Sequence, residues 1–254
     1  MKIYSWNVNS LRNCENKFLE FLDKYQPDIV GLQELRAHPD QLSFFLKSVS
    51  SYEALFNDSG RPGYGGTALY YKSDIGVENI SKSVNNKALD DEGRVIFLKV
   101  NDIYVFNFYT PNGNMNETRF LYKQNYYNEI LKLAKKLRKE NKKVIIIGDL
   151  NVAHTQDDVF FKNPRTSGFM PQEREWFSNM LKTGYVDTFR MFNKEIGNYS
   201  WWNLRDPLRS LNQGWRFDYI LVSDNLKDNV KAAGISREVF GSDHCPVWVE
   251  LESI

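Results

Sequence analysis

Apolar residues follow two rhythms along this chain. Short runs rich in β-branched and aromatic residues occupy 3–8, 29–32, 67–71, 95–100, 104–109, 144–147, 217–222 and 247–251. Runs of that length and makeup predict strands. Between them, apolar positions spaced by three and four predict helices over 15–25, 41–49, 117–139 and 172–182. Pro39 and Pro171 stand where helices tend to begin, and Gly184 sits just past the fourth helix, as a C-cap glycine does. Strands alternating with helices predict an α/β fold.

The strand ends repeat a chemical theme. Strand 3–8 carries Asn7 near its end, and strand 29–32 runs into Gln33 and Glu34. Strand 104–109 runs through Tyr109 into Thr110, Pro111 and Asn112, and strand 144–147 into Gly148, Asp149, Leu150 and Asn151. Twice, a strand–helix–strand segment delivers amides and carboxylates to strand C-terminal ends, the rim where α/β sheets bind ligands. Asn and Asp also simply terminate strands. That accounts for each residue singly, not for every one of these ends carrying a group suited to a metal or a phosphate. Near the C-terminus, Gly241, Ser242, Asp243, His244, Cys245 and Pro246 set an Asp-His pair at the mouth of strand 247–251. Such a pair in a loop is more often a turn device than a catalyst, but this one keeps chemical company.

Composition narrows the reading. A chain of 254 residues without a Pro/Gly/Ser-rich linker or helical repeat is expected to form one domain, 1–254. Aromatics reach 15%, which suits a core and also stacking on bases or sugars. The net charge of +1 means that any phosphate-binding surface must be local. Lys132, Lys135, Lys136, Arg138, Lys139, Lys142 and Lys143 read best as a solvated helix end whose cations suit the C-terminal dipole. Cys14 and Cys245 make no disulfide framework and fit reduced thiols. With no signal peptide, no membrane-spanning apolar run and no basic N-terminal tail, the expectation is a bare, monomeric catalytic core in the cytoplasm, nucleoid-associated and without a membrane partner.

Collected, the polar strand ends are Asn7, Glu34, Tyr109, Asn112, Asp149, Asn151, Asp243 and His244. Carboxylates and amides with one imidazole and no cysteine suit Mg²⁺ or Mn²⁺ rather than structural zinc. There is no Cys/His zinc spacing, no Gly-Xaa-Ser-Xaa-Gly elbow, no Walker loop and no dinucleotide-binding glycine fingerprint. The inventory matches metal-assisted phosphoryl transfer to water.

Motifs then run nearly end to end. They are Ser5-Trp6-Asn7-Val8-Asn9, Leu32-Gln33-Glu34, Gly63-Tyr64-Gly65-Gly66, Glu92-Gly93-Arg94 and Tyr109-Thr110-Pro111-Asn112-Gly113. They continue with Gly148-Asp149-Leu150-Asn151-Val152-Ala153-His154, Gly168-Phe169-Met170-Pro171-Gln172-Glu173-Arg174, Asn212-Gln213-Gly214-Trp215-Arg216-Phe217-Asp218-Tyr219 and the Gly241–Pro246 run. In this order and spacing the chain resembles the exonuclease III family of abasic-site (AP) endonucleases, within the DNase I-like phosphoesterases.

The resemblance implies a four-layer α/β sandwich of two packed mixed sheets flanked by helices, with the site at one end. It implies Glu34 as principal metal ligand with Asn9 and Asp243 near it, and Asp149 orienting or deprotonating the attacking water. Asn151 would hold that water and a phosphate oxygen, Tyr109 and Asn7 would contact the scissile phosphate, and His244 would donate to it with Asp218 fixing its tautomer. Trp201, Trp215 and Phe217 would line an apolar pocket for a flipped-out, base-less deoxyribose. For Trp202, pocket and core stand even. Asn112 would contact DNA, and the loop carrying Arg205 and Arg209 would lie along a groove, Arg209 being the better contact. Trp6 and Trp176 are assigned to the core, His38 to the surface and His154 to a structural role near the Asp149–Asn151 turn.

The implied activity is Mg²⁺-dependent (Mn²⁺ as substitute) cleavage of double-stranded DNA 5′ to abasic sites, leaving a 3′-hydroxyl. Trimming of 3′ ends is expected with it, and action on damaged or uracil-bearing nucleotides stays open. Departures are Asn9 where many relatives have Asp, Trp201 for a frequent Phe, Phe217 for a frequent Leu, Met115 where some relatives place a DNA-inserting Arg, and a shortened 163–167. The alternatives are a sibling phosphoesterase acting on RNA, phosphoinositide or sphingomyelin, and a non-catalytic DNA-binding relative.

Overall fold

The computed structural model describes residues 1–114, 116–204 and 207–252. Its strands are β1 (Lys2–Asn7), β2 (Ile29–Gln33), β3 (Tyr52–Asn57), β4 (Thr67–Lys72), β5 (Val77–Ser81), β6 (Val95–Val100), β7 (Ile103–Tyr109), β8 (Lys143–Asp149), β9 (Tyr185–Asp187), β10 (Asp218–Ser223), β11 (Val230–Ile235) and β12 (Val247–Leu251). They form two six-stranded sheets, ordered β11-β12-β1-β2-β4-β3 and β5-β6-β7-β8-β10-β9. The helices are α1 (Leu11–Tyr25), α2 (Phe44–Lys47), α3 (Lys87–Asp90), α4 (Glu117–Lys139), α5 (Pro171–Lys182) and α6 (Thr188–Phe192).

The two-residue period of a strand sorts side chains into layers. In β1, Ile3 joins the core between the sheets, with Ile29, Val105, Ile147, Ile220 and Val249. Its neighbours Tyr4 and Trp6 face outward into a second core with Phe18, Phe21 and Leu22 of α1. Helices α4 and α5 cover the other sheet through Tyr126, Tyr127, Ile130, Trp176 and Phe177. The result is the expected four-layer sandwich, with Trp6 and Trp176 both buried.

Each sheet contains one parallel pair, β1 with β2 and β7 with β8, joined by α1 and α4. Parallel pairing puts both C-terminal ends at one rim: Asn7 lies across from Gln33, and Tyr109 across from Asp149. In the antiparallel β8–β10 pair, Asp218 faces Asp149. The sheets meet along a polar seam, where Gln33 Nε2 donates to Asn107 Oδ1 (2.7 Å) and Ser5 Oγ (3.0 Å) and Asn107 Nδ2 donates to the Leu32 and Ala68 carbonyls. Gly31 permits this approach, since a Cβ there would lie 2.6 Å from Ile147 and 2.8 Å from Asn107.

Two expectations change. The helix expected over 41–49 is a 3-10 turn, Pro39–Gln41, followed by the single turn α2. Ser43 divides them: its backbone is extended and its Oγ accepts from Leu46 N, so it caps rather than continues a helix. The eight expected strands are the eight interior ones, while β3, β5, β9 and β11 are the four sheet edges. No helix among the described residues is long and apolar enough to cross a membrane.

Candidate active site

Six polar residues next to the rim take left-handed backbone: Asn9 (φ 45°), Ser10 (96°), Glu34 (60°), Arg36 (50°), Glu92 (57°) and Asn151 (49°). Each such conformation is disfavoured for a side-chain-bearing residue, and such residues cluster where surrounding structure fixes a site. Five of them reverse the chain just past β1, β2 and β8, and Glu92 does so in the turn before β6.

Asn7 is the hub. Its Nδ2 donates to Glu34 Oε2 (3.0 Å) on its own sheet and to Asp149 Oδ2 (2.9 Å) on the other. Its Oδ1 accepts from Asn9 N (3.0 Å). Asp149 is buried, and accepts from Asn151 through both the backbone N (2.9 Å) and Nδ2 (3.2 Å). Burial raises its carboxyl to about 7, although the His244 charge and the Asn7 hydrogen bond pull the other way.

His244 is buried with Nδ1 2.8 Å from Asp218 Oδ2 and Nε2 4.0 Å from Asp149 Oδ2. Burial alone would lower its basicity, but Asp218, then Asp149 and Asp243, outweigh it and lift the imidazole to about 10. That shift favours the imidazolium at neutral pH, with Nε2 facing Asp149 Oδ2 across 4.0 Å. Ser200 completes the arrangement by donating from Oγ to Asp218 Oδ2 (2.6 Å). Burial keeps the Tyr109 phenol well above its ordinary range, reinforced by Glu34, so it remains a proton donor.

A hard-oxygen group lies beside this row. Asp243 Oδ1 accepts from Asn9 Nδ2 (2.9 Å), and its Oδ2 from Trp201 Nε1 (3.0 Å). Glu34 Oε1 accepts from Arg36 Nε (2.9 Å). The Asn9 Oδ1 is buried with no protein hydrogen-bond partner, so its lone pairs are available to a water or a cation. Glu34, Asp243 and Asn9 therefore fit a hard divalent ion. Asp149, Asp218 and His244 also bring one ligand atom each within 4.8 Å and could hold a metal. The His244 Nδ1 of that group is engaged by Asp218 Oδ2.

An aromatic wall adjoins the acids. Phe217 sits 5.3 Å from Trp201 and 5.2 Å from Trp215, ring centre to ring centre. The three rings line a cavity of about 750 Å³ that also holds Glu34, Tyr109, Asn112, Asp149, Asn151, Asp243 and His244. Asn112 is exposed there, its Oδ1 accepting from Asn114 N. Trp202 is buried and packs beneath Arg209, which resolves its even standing in favour of core. Arg209 lies between Trp202 and Phe240 and donates to the carbonyls of Arg237, Val239 and Ser242. Its guanidinium is bound to the loop before Asp243. Arg205 and Met115 lie outside the described residues. His154 bonds Ser178 Oγ (2.9 Å), and His38 pairs with Asp58 at the surface.

Several groups at the site escaped sequence reasoning. Glu92, buried, receives Arg94 Nε (2.8 Å) and Arg119 Nη1 (2.9 Å), and both guanidinium groups donate to the Tyr64 hydroxyl. Tyr64, Arg94 and Arg119 form the cavity's cationic side. The Glu92-Gly93-Arg94 motif was the available signal; Arg119 inside a helix had none. Lys123, buried against Glu173, donates to the Asn151 carbonyl (2.8 Å) and so reaches the site from α4.

The sequence matches the endonuclease/exonuclease/phosphatase family over residues 4–244. It is 39% identical over 261 aligned residues to the exodeoxyribonuclease of Bacillus subtilis, covering 97% of this chain and 98% of that protein. It is 37% identical to the DNA-(apurinic or apyrimidinic site) endonuclease of Dictyostelium discoideum, covering 99% of this chain and 71% of that one. Among solved structures, the 3′ phosphatase NExo from Neisseria, bound to product DNA hairpin, superposes over the whole of both chains with a TM-score of 0.88 at 28% identity. Polar strand ends from two sheets, an aromatic wall beside them and near-complete alignment converge: the chain belongs to the endonuclease/exonuclease/phosphatase family and to its exonuclease III branch.

Proposed function

We propose that this chain is a Mg²⁺-dependent DNA repair nuclease that hydrolyses the phosphodiester 5′ to an abasic site, leaves a 3′-hydroxyl and also trims 3′ ends. The observation that carries this reading is Asn7, whose single amide joins Glu34 to Asp149 across both sheets beside an aromatic-walled cavity. Asp149 orients the attacking water and accepts its proton, with Asn7 and Asn151 holding the carboxylate in place. His244 donates from Nε2 to a phosphate oxygen, and Asp218 fixes the ring from the Nδ1 side. Tyr109 and Asn151 offer further donors to the same phosphate. Glu34, Asp243 and Asn9 would hold Mg²⁺, or Mn²⁺ in its place, and the bound ion supplies charge neutralisation at the phosphate.

Magnitudes favour this division of labour. Enzymes lower the barriers of very slow reactions by as much as roughly 23 kcal/mol. A hydrogen bond to a charged group contributes only about 1.5–3 kcal/mol. Several donors, an oriented water and a cation are all needed. Trp201, Trp215 and Phe217 would receive the flipped-out sugar, and a missing base makes flipping cheaper. Action on damaged or uracil-bearing nucleotides is part of the proposal and would use the same cavity. Relatives named for apurinic-site cleavage and for 3′-phosphatase action support the DNA assignment. We further propose a single-domain, monomeric enzyme of the cytoplasm, a reducing compartment that the buried free thiols Cys14 and Cys245 fit.

The test is a duplex carrying one tetrahydrofuran site. Mg²⁺ should give a nick on its 5′ side, EDTA should abolish it, and Asp149→Ala should slow it by about 10²–10⁴-fold, the range for a general base. A nick independent of divalent metal, or unchanged in Asp149→Ala, would sink the proposal.

A further inference from the structure

Between Asp158 and Glu173 the sequence has no acidic residue, and it reads Val159-Phe160-Phe161-Lys162-Asn163-Pro164-Arg165. Two adjacent phenylalanines in a loop would ordinarily be buried. Here Phe160 is 44% and Phe161 52% exposed, although each ring carries enough apolar surface that leaving it in water is unfavourable. The rings hold each other edge to face, 4.8 Å apart and at 80°. Lys162 and Arg165 are exposed beside them.

The loop is not loose. Asp158 is fully buried and ion-paired to Arg216 (2.8 Å) and Arg190 (2.5 Å). Val159 bridges to Trp215, and Phe160 N donates to the Gly214 carbonyl (3.0 Å). The rings are thus presented from a fixed base that includes the aromatic wall. Phe161 lines the same cavity as Asp149, His244, Trp201 and Trp215. Exposed rings flanked by cations, continuous with a phosphate-handling site, are the physical pattern for stacking unpaired bases.

We propose that Phe160 and Phe161 form a stacking platform for an unpaired nucleobase next to the scissile phosphate, Phe161 making the contact and Phe160 backing it. This rests on the nuclease reading above. A base-less sugar has no π-face, so the platform serves frayed or mismatched 3′ ends rather than the abasic nucleotide itself.

The test uses two duplexes, one with a mismatched 3′-terminal 2-aminopurine and one with an internal tetrahydrofuran site and paired ends. Dissociation constants are measured in EDTA, and kcat and KM in Mg²⁺. Stacking of a base on an aromatic ring contributes about 1–3 kcal/mol. Phe161→Ala should therefore weaken binding of the mismatched end roughly 5- to 150-fold, chiefly through Kd and KM. It should change the tetrahydrofuran duplex by less than about twofold. Phe161→Trp should restore the mismatched-end affinity and the 2-aminopurine emission change. Equal effects on both duplexes, no effect on either, or failure of Trp to restore would overturn the platform. A wild-type protein that cuts neither duplex would overturn the nuclease reading instead.

Discussion

Asp149 and His244 are both shifted upward, the carboxyl to near neutrality and the imidazole above it. Burial lifts the Asp149 carboxyl to about 7, and Asp218 with the neighbouring carboxylates lifts His244, against burial, to about 10. If Asp149 acts ionised and His244 protonated, kcat/KM should rise as pH increases through about 7 and fall as it passes about 10. Asp218→Asn removes the main influence opposing burial, so its alkaline limb should move to lower pH. A rate that falls steadily from about pH 6 to 8 would contradict these roles. The acids and amides of this group could be read in the sequence because they interrupt apolar strands at their ends. Arg36 and Ser200 could not: Arg36 meets Glu34 only because the backbone reverses at φ 50°, and Ser200 reaches Asp218 from 18 residues away.

Elements were legible in proportion to their burial. Interior strands carry continuous apolar runs, whereas the four edges are short or half exposed; in β5, for example, Glu78 and Asn79 are exposed. How elements are tied together is another matter, since it depends on charges distant in sequence. Glu92 joins the loop before β6 to α4 through Arg94 and Arg119. Burial would raise its carboxyl, yet the Arg119 and Arg94 contacts hold it at about 2. Its folded value lies below the ordinary value of about 4.3. Its contribution is therefore full above that ordinary value and is lost as pH falls through about 2. Glu92→Gln should cost about 3–5 kcal/mol in urea unfolding at neutral pH, with a flatter acid profile. Arg209 ties the 207–213 turn to the segment before Asp243. Arg209→Ala should reduce kcat while leaving the salt dependence of DNA affinity nearly unchanged. Loss of a direct phosphate contact would instead lower that slope by about one.

At the scale of the molecule, the site belongs to neither sheet alone. Asn7, Glu34 and Asp243 come with the first sheet, and Tyr109, Asp149 and Asp218 with the second, so their spacing is set by how closely the sheets meet. Gly31→Ala would put a Cβ 2.6 Å from Ile147 and against the pinned Asn107. It should destabilise the fold by about 1–3 kcal/mol and reduce kcat as well; unchanged unfolding and turnover would show that the seam yields freely. The arrangement of the first sheet also bears on how the protein is made. Strand β1 lies between β2 and β12, and β12 follows the Asp-His pair. A chain still on the ribosome before residue 242 already carries Glu34 and Asp149, yet it lacks Asp243 and His244 and leaves β1 with a bare edge. The site and the pairing of β1 are therefore completed together, by the segment that carries the Asp-His pair into β12.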